Sequence, residues 1–146
     1  MRLVSINAWG GAMYGQFAAW LPQINPDVLC VQEVTHTHGH TGWTSFDDGD
    51  HALPQRADLL TDVRQAGDLA VLCGDLNLLP HSETFDVLRE AGLVDLVGTA
   101  DTRGSRYVKP VRHASYLLVS DPAAVRRFEV LTRPEVSDHR ALLLEL

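Results

Sequence analysis

Polar side chains that can bind a cation or move a proton stand at the ends of four apolar segments of this chain. They are Asn7, Glu33, Asp75, Asn77, Asp138 and His139. Carboxylate and amide oxygens are ligands that Mg²⁺ accepts, and a neutral imidazole can take up or release a proton near pH 7. Brought together, these residue types would supply an ion, a polarised water and a proton-transfer group, which is the equipment for hydrolysing a phosphate ester.

Each of these residues also has an interpretation without chemistry. A single glutamate after an apolar strand, such as Glu33, is usually solvated. Asp75 and Asn77, which precede a proline in "GDLNLLP", could form an Asx-type turn, and Asp138 could simply cap a strand. The combination of all of them at segment ends favours a functional site.

Alternating apolar residues and turn residues predict the strands that must position these side chains. We expect a first strand in "RLVSINAW" that ends near Asn7, a second in "DVLCVQEV" and a third in "DLAVLCGD". Three further strands are predicted in "SYLLVS", "RRFEVLT" and "HRALLLEL". The second strand is apolar on both faces, which indicates a central strand that is covered on both sides.

Helices are predicted between the early strands. Apolar residues have helical spacing in "MYGQFAAWLPQI", and a second helix is expected at 54–67. Ser82 is the expected N-cap of a third helix, "ETFDVLREA", which Gly92 would end. Helices that alternate with strands and then give way to strands alone predict an α/β sandwich with a mixed sheet, whose ligands bind beyond the strand ends.

The segment 35–53 is polar and aperiodic, which predicts a long loop. His36, His38 and His40 alternate within it. On a strand they would share one face and could bind a transition metal, whereas in a loop they would simply be exposed.

The net charge of −7 makes the chain a poor non-specific binder of polyanions. The acidic residues are concentrated in 1–100, and "TRGSRYVKPVRH" is basic, with Arg103, Arg106, Lys109 and Arg112. This stretch is either a solvated loop or a cationic patch, in which Arg106 and Arg112 would contact substrate.

The remaining composition points to an ordinary globular protein. Cys30 and Cys73 lie inside apolar runs, which suggests buried free thiols rather than a disulfide. No run reaches the roughly 18 apolar residues of a membrane span, and no signal peptide is recognisable, so the expected location is cytoplasmic.

Four blocks of the sequence, "SINAW", "PDVLCVQEV", "GDLNLLP" and "SDHRALLLEL", resemble the endonuclease/exonuclease/phosphatase superfamily in order and in character. The resemblance covers 1–34 and 54–146. It implies a Mg²⁺- or Mn²⁺-dependent phosphoric ester hydrolase, with nucleases, phosphatases and phosphodiesterases among its relatives. The substrate would be a phosphodiester or phosphomonoester, either a small molecule or a short nucleic acid.

The resemblance also implies roles for individual residues. Asn7 and Glu33 would help to hold the metal, and Asp138 would assist. Asp75 would align or activate the attacking water. Beyond these, Asn77 would position the phosphate, and His139 would stabilise or protonate the phosphoryl group.

The sequence departs from the family pattern in two places. Family members carry a much longer segment between the blocks that contain Glu33 and Asp75. We therefore expect a single domain over 1–146 that is a shortened α/β sandwich. The middle segment of the family would be largely absent between about 35 and 67. Relatives also place an aspartate before the tyrosine of "SYLLVS", where it orients the catalytic histidine. Here that position is Ser115, and a hydroxyl orients an imidazole weakly.

Two expectations follow from these departures. The alternative to an active enzyme is a catalytically impaired relative that acts as a metal- or phosphate-binding module. Because deleting strands would expose sheet edges and apolar faces, we also expect self-association, most simply as a twofold homodimer.

Overall fold

The structure, a computed structural model, describes residues 1–34, 69–110 and 112–146. Within these ranges it contains seven strands and two α-helices, with short 3₁₀ helices at Trp9–Gly11 and Pro122–Ala124. The elements are β1 Arg2–Asn7, α1 Tyr14–Ile24, β2 Val28–Gln32, β3 Val71–Asp75, α2 Glu83–Glu90, β4 Val94–Asp95, β5 Ser115–Val119, β6 Arg127–Leu131 and β7 Ala141–Glu145.

The strands form two sheets. The first has the order β2-β1-β7-β6, in which β1 and β2 are parallel and the other pairs are antiparallel. The second has the order β3-β5-β4 and is antiparallel throughout. This arrangement confirms the predicted α/β sandwich with a mixed sheet, and also the three late strands.

The core lies on both sides of the first sheet. Leu3, Leu142 and Leu144 belong to the apolar cluster that also takes in the second sheet and α2, with Phe85 and Leu88 from the helix. On the opposite face of the first sheet, the side chains of Val4, Ile6 and Leu143 pack with Trp20 of α1. Because side chains alternate along β1 and β7, these strands contribute to two apolar layers, one on each face of the first sheet. The polar ends of the strands lie at the edge of the layer between the two sheets.

The expectation that β2 is a central strand is wrong for the described residues, where β2 is the edge of its sheet. Its two faces are nevertheless partly covered. Leu29 packs in the cluster beneath α1, and Cys30 packs in the cluster that joins the sheets. An apolar strand therefore needs layers above and below it, but not a strand on each side.

Local signals fix the ends of both helices. Asn25 caps the C-terminus of α1 in the left-handed conformation (φ 45°), which asparagine tolerates better than most residues, and Pro26 follows it. Ser82 occupies the N-cap of α2, but its side chain makes no capping hydrogen bond, which differs from the expected cap. Glu83 and Asp86 in the first turn interact favourably with the helix dipole.

The two cysteines are free thiols in partly buried positions. Burial and the neighbouring Cys30 raise the pKa of the Cys73 thiol to about 12, so it stays protonated and packs as a small apolar group. The segment 35–53 with its three alternating histidines and the helix expected at 54–67 lie outside the described residues. Among the residues that are described, no helix is long and apolar enough to cross a membrane.

Candidate active site

A hydrogen bond between Asn7 and Asp75 joins the two sheets at the predicted site. The Asn7 Nδ2 atom donates to Asp75 Oδ2 at 2.9 Å, although β1 and β3 belong to different sheets. The backbone N–H of Trp9 donates to Asn7 Oδ1 at 2.9 Å, so the carboxamide is held at both ends. Asn7 is 1% exposed and therefore presents a fixed donor to the Asp75 carboxylate.

A tight turn after β3 presents Asn77. The backbone N–H groups of Leu76 and Asn77 both donate to the carbonyl of Ala114, at 2.9 and 3.1 Å, and Asn77 has a φ of 50°. The backbone N–H of Asn77 also donates to Asp75 Oδ1 at 3.3 Å. The Asx-type turn considered from the sequence is therefore present, and it orients the very carboxylate that the site needs.

Ser137 ties the segment before β7 to the end of β1. Its Oγ atom donates to the carbonyl of Asn7 at 2.6 Å and accepts from the backbone N–H of His139 at 3.2 Å. Ser137 is 1% exposed. The sequence did not single out Ser137, although its place directly before Asp138 and His139 was a usable signal.

The imidazole of His139 lies at the centre of the cluster and is 4% exposed. Its Nε2 atom is 3.6 Å from Asp75 Oδ2 and 4.0 Å from Asp138 Oδ1, and its Nδ1 atom is 2.9 Å from Ser115 Oγ. Ser115 begins β5, which lies in the other sheet from β7, so its side chain reaches the ring across the sandwich. Tyr116 points away and donates to the carbonyl of Leu78 at 2.9 Å, because side chains alternate along a strand.

Burial lowers the pKa of His139 below its ordinary value of 6.5. The Asp75 carboxylate counteracts this, the Arg103 guanidinium lowers the pKa further, and Asp138 and Glu33 raise it. Burial and the cation dominate, so the ring is neutral at pH 7. A neutral imidazole has one donor and one acceptor nitrogen, and a hydroxyl such as that of Ser115 satisfies either, so it does not select the tautomer as a carboxylate would.

Arg103 enters the site from the loop before β5. It forms an isolated antiparallel β-bridge with His139, and its Nη1 contacts the His139 Nε2 atom. Its Nη2 donates to Asn77 Oδ1 at 3.1 Å, and its guanidinium lies 4.0 Å from the centre of the Tyr107 ring. The sequence placed Arg103 in a basic stretch that could be either a solvated loop or a cationic patch, and did not select it as a site residue.

The loop that carries Arg103 is held by close backbone contacts. The N–H of Gly104 donates to the carbonyl of Asp138 at 2.6 Å. A Cβ atom at position 104 would lie 3.2 Å from the carbonyl oxygens of both Ser137 and Asp138. Glycine is therefore the residue that permits this approach.

The two arginines that were predicted to bind substrate interact with other groups among the described residues. Arg112 donates to Asp101 Oδ2 at 3.1 Å and to the carbonyls of Tyr107, Arg103 and Gly104 at 3.1 to 3.2 Å, so its guanidinium is used to hold the loop. Arg106 is exposed, and its charge acts on the nearby Glu135.

The donors predicted to hold a metal meet only in part. Glu33 is exposed at the end of β2 with a φ of 52°, and its charge reaches His139. Among the described residues, no three His, Cys, Asp or Glu side chains form a cluster that could hold a metal ion. The donor set is nevertheless that of Mg²⁺, which binds through one or two carboxylates and completes its octahedron with water and substrate oxygens. Asn7, Glu33 and Asp138 therefore fit such an ion chemically.

The sequence of this chain matches the family model of the Endonuclease/Exonuclease/phosphatase family over residues 4–139. The match covers most of the chain, and the chain belongs to this family. Proteins of the family are typically hydrolases that act on phosphoester bonds, and they generally use divalent metal ions such as Mg²⁺. A search of curated proteins gave no match.

Proposed function

We propose that this protein hydrolyses a phosphodiester or phosphomonoester with the help of Mg²⁺ or Mn²⁺. The observation that carries the proposal is the position of Asp75. Its carboxylate is oriented by donors from Asn7 and from the backbone of Asn77, and it lies 3.6 Å from His139 Nε2. This is an oriented carboxylate beside a neutral imidazole, and both side chains are largely buried.

In the proposed reaction Asp75 aligns the attacking water and accepts its proton. Its side chain is only 7% exposed, which limits competing contacts with bulk water. The amide of Asn77 positions a phosphoryl oxygen, and His139 stabilises or protonates the phosphoryl group. A divalent ion bound by Asn7 and Glu33, with Asp138 assisting, would neutralise phosphate charge and polarise the water.

The substrate class that fits best is a small phosphate ester or a short nucleic acid. The chain is acidic overall, and Arg112, part of its basic stretch, is used in internal hydrogen bonds. A long polyanion would need many exposed Lys and Arg contacts. One phosphoryl group, in contrast, can be held by a few fixed donors.

The test is the initial rate of hydrolysis of bis-p-nitrophenyl phosphate and of p-nitrophenyl phosphate, with Mg²⁺ or Mn²⁺ and after EDTA. We expect turnover of at least one ester that EDTA abolishes and added metal restores. Glu33→Ala is the matched control, because this exposed carboxylate would hold the metal without supporting the core. Metal-dependent turnover no greater than that of Glu33→Ala would exclude the enzymatic function.

A second candidate function is a metal- or phosphate-binding module with impaired catalysis. The observation that favours it is Ser115, whose hydroxyl contacts His139 Nδ1 where family members carry a carboxylate. Calorimetry that detects Mg²⁺ binding without turnover would support the module. Absence of both binding and turnover would exclude the two candidates together.

A further inference from the structure

The guanidinium of Arg103 is a buried cation without a carboxylate partner in the part of the chain that the structure describes. The residue is 7% exposed, and its Nε atom is buried without a hydrogen-bond partner among the described residues. No described Asp or Glu oxygen lies within ion-pair distance of it, although Arg112 in the same loop pairs with Asp101 at 3.1 Å. Burying an arginine is unfavourable unless an anion pairs with it.

The surroundings of Arg103 hold it at the reacting centre. Its Nη atoms contact His139 Nε2 and Asn77 Oδ1, so the fork is directed at the groups proposed to act on phosphate. Tyr107 lies against the guanidinium at 4.0 Å, and Arg112 donates to the backbone carbonyl of Arg103 at 3.2 Å. The loop therefore places a buried cation directly beside His139.

We infer that Arg103 is the phosphate-binding residue of this site and takes two oxygens of the phosphoryl group through its planar fork. A guanidinium matches two phosphoryl oxygens in geometry, and such charge-assisted pairs are stronger than neutral hydrogen bonds. The carboxylates of Asp75, Asp138 and Glu33 would otherwise repel an anion. This inference rests on the proposed function, since it names the residue that receives the phosphate there.

Binding an anion would also free the imidazole. In the present arrangement the Nε2 atom of His139 must accept from Arg103, because a guanidinium has only donors. The proton of the neutral ring is then on Nδ1 and points to Ser115 Oγ. A phosphoryl group that takes the donors of Arg103 lets the ring adopt its other tautomer, in which Nε2–H donates to a phosphoryl oxygen and Nδ1 accepts from the Ser115 hydroxyl.

The test is the affinity for inorganic phosphate, measured calorimetrically in the presence of Mg²⁺. We expect Arg103→Met to weaken phosphate binding about tenfold or more, which is the scale of one lost charge-assisted contact. The phosphate affinity of Arg103→Lys should lie between those of the wild type and Arg103→Met, since lysine keeps the charge but loses the planar fork. Arg89→Met is the control, because Arg89 is exposed on α2 and pairs with Asp86, and it should bind phosphate as the wild type does.

Turnover gives an independent readout. For a chromogenic diester, Arg103→Lys should raise KM by less than Arg103→Met does and lower kcat less than it raises KM, with circular dichroism unchanged. If Arg103→Met does not fold, Arg103→Lys decides the question. If either Arg103→Lys or Arg103→Met binds phosphate as tightly as the wild type, the inference is overturned. The proposed function would still stand in that case, provided that the wild type hydrolyses a diester. Phosphate binding that depends on Arg103 without any turnover would support the inference and refute the hydrolase.

Discussion

Replacing Asp75 with asparagine is expected to lower kcat for phosphate-ester hydrolysis by about a thousandfold, within the range that a positioned general base contributes. Asparagine has the same size and keeps an oxygen that can accept from Asn7 Nδ2, so the link between the two sheets survives. It cannot take up a proton from water. The loss should therefore fall on kcat, with a small change in KM.

The matched control for this variant is Asp86→Asn. Asp86 lies in the first turn of α2, is exposed and pairs only with Arg89 among the contacts that the structure shows for its side chain. The same chemical change there should leave kcat unchanged. A folded Asp75→Asn variant with more than a tenth of wild-type kcat would show that Asp75 is not the base.

Replacing Ser115 with aspartate is expected to raise the metal-dependent rate about tenfold or more, a modest part of what an orienting carboxylate contributes in other hydrolytic sites. Ser115 is 2% exposed, and its Oγ atom is already 2.9 Å from His139 Nδ1. A carboxylate there accepts a hydrogen bond from Nδ1–H and so fixes the tautomer. It also raises the pKa of His139, because a nearby negative charge favours the imidazolium.

Two further variants separate this mechanism from a general effect of the substitution. Ser115→Asn has nearly the shape of aspartate without its charge and should give no gain. In a His139→Ala background the gain from Ser115→Asp should vanish, since both changes act through one ring. NMR titration should show a higher His139 pKa in Ser115→Asp than in the wild type. A rate gain that persists without His139 would contradict the mechanism.

The strands and their polar ends could be predicted because both are local properties of the sequence. The apolar run before Asp75 and the proline after Asn77 define the end of β3, and the same holds for Asn7 at the end of β1. The family resemblance then assigned an expected role to each of these residues. The hydrogen bond between Asn7 and Asp75 shows that the two strand ends do meet.

Contacts across the sandwich could not be predicted in the same way. Apolar alternation does not say which sheet a strand joins, so the pairing of β5 with β3 could not be read from the sequence. The position of Arg103 depends on the approach of Gly104 to Asp138 and on the hydrogen bonds of Arg112. Four basic residues in one stretch look alike in sequence, and only the folded loop separates the one that enters the site from the one that supports it.

The most direct test of the central claim is the source of the oxygen that enters the product. Hydrolysis of bis-p-nitrophenyl phosphate in ¹⁸O-labelled water, followed by mass spectrometry, should place one solvent oxygen in each p-nitrophenyl phosphate formed. The labelling should require Mg²⁺ or Mn²⁺ and should be lost in Asp75→Asn. Label in the nitrophenol would contradict attack of water on phosphorus. Labelled p-nitrophenyl phosphate that forms equally fast in the presence of EDTA would contradict the role of the metal at this site.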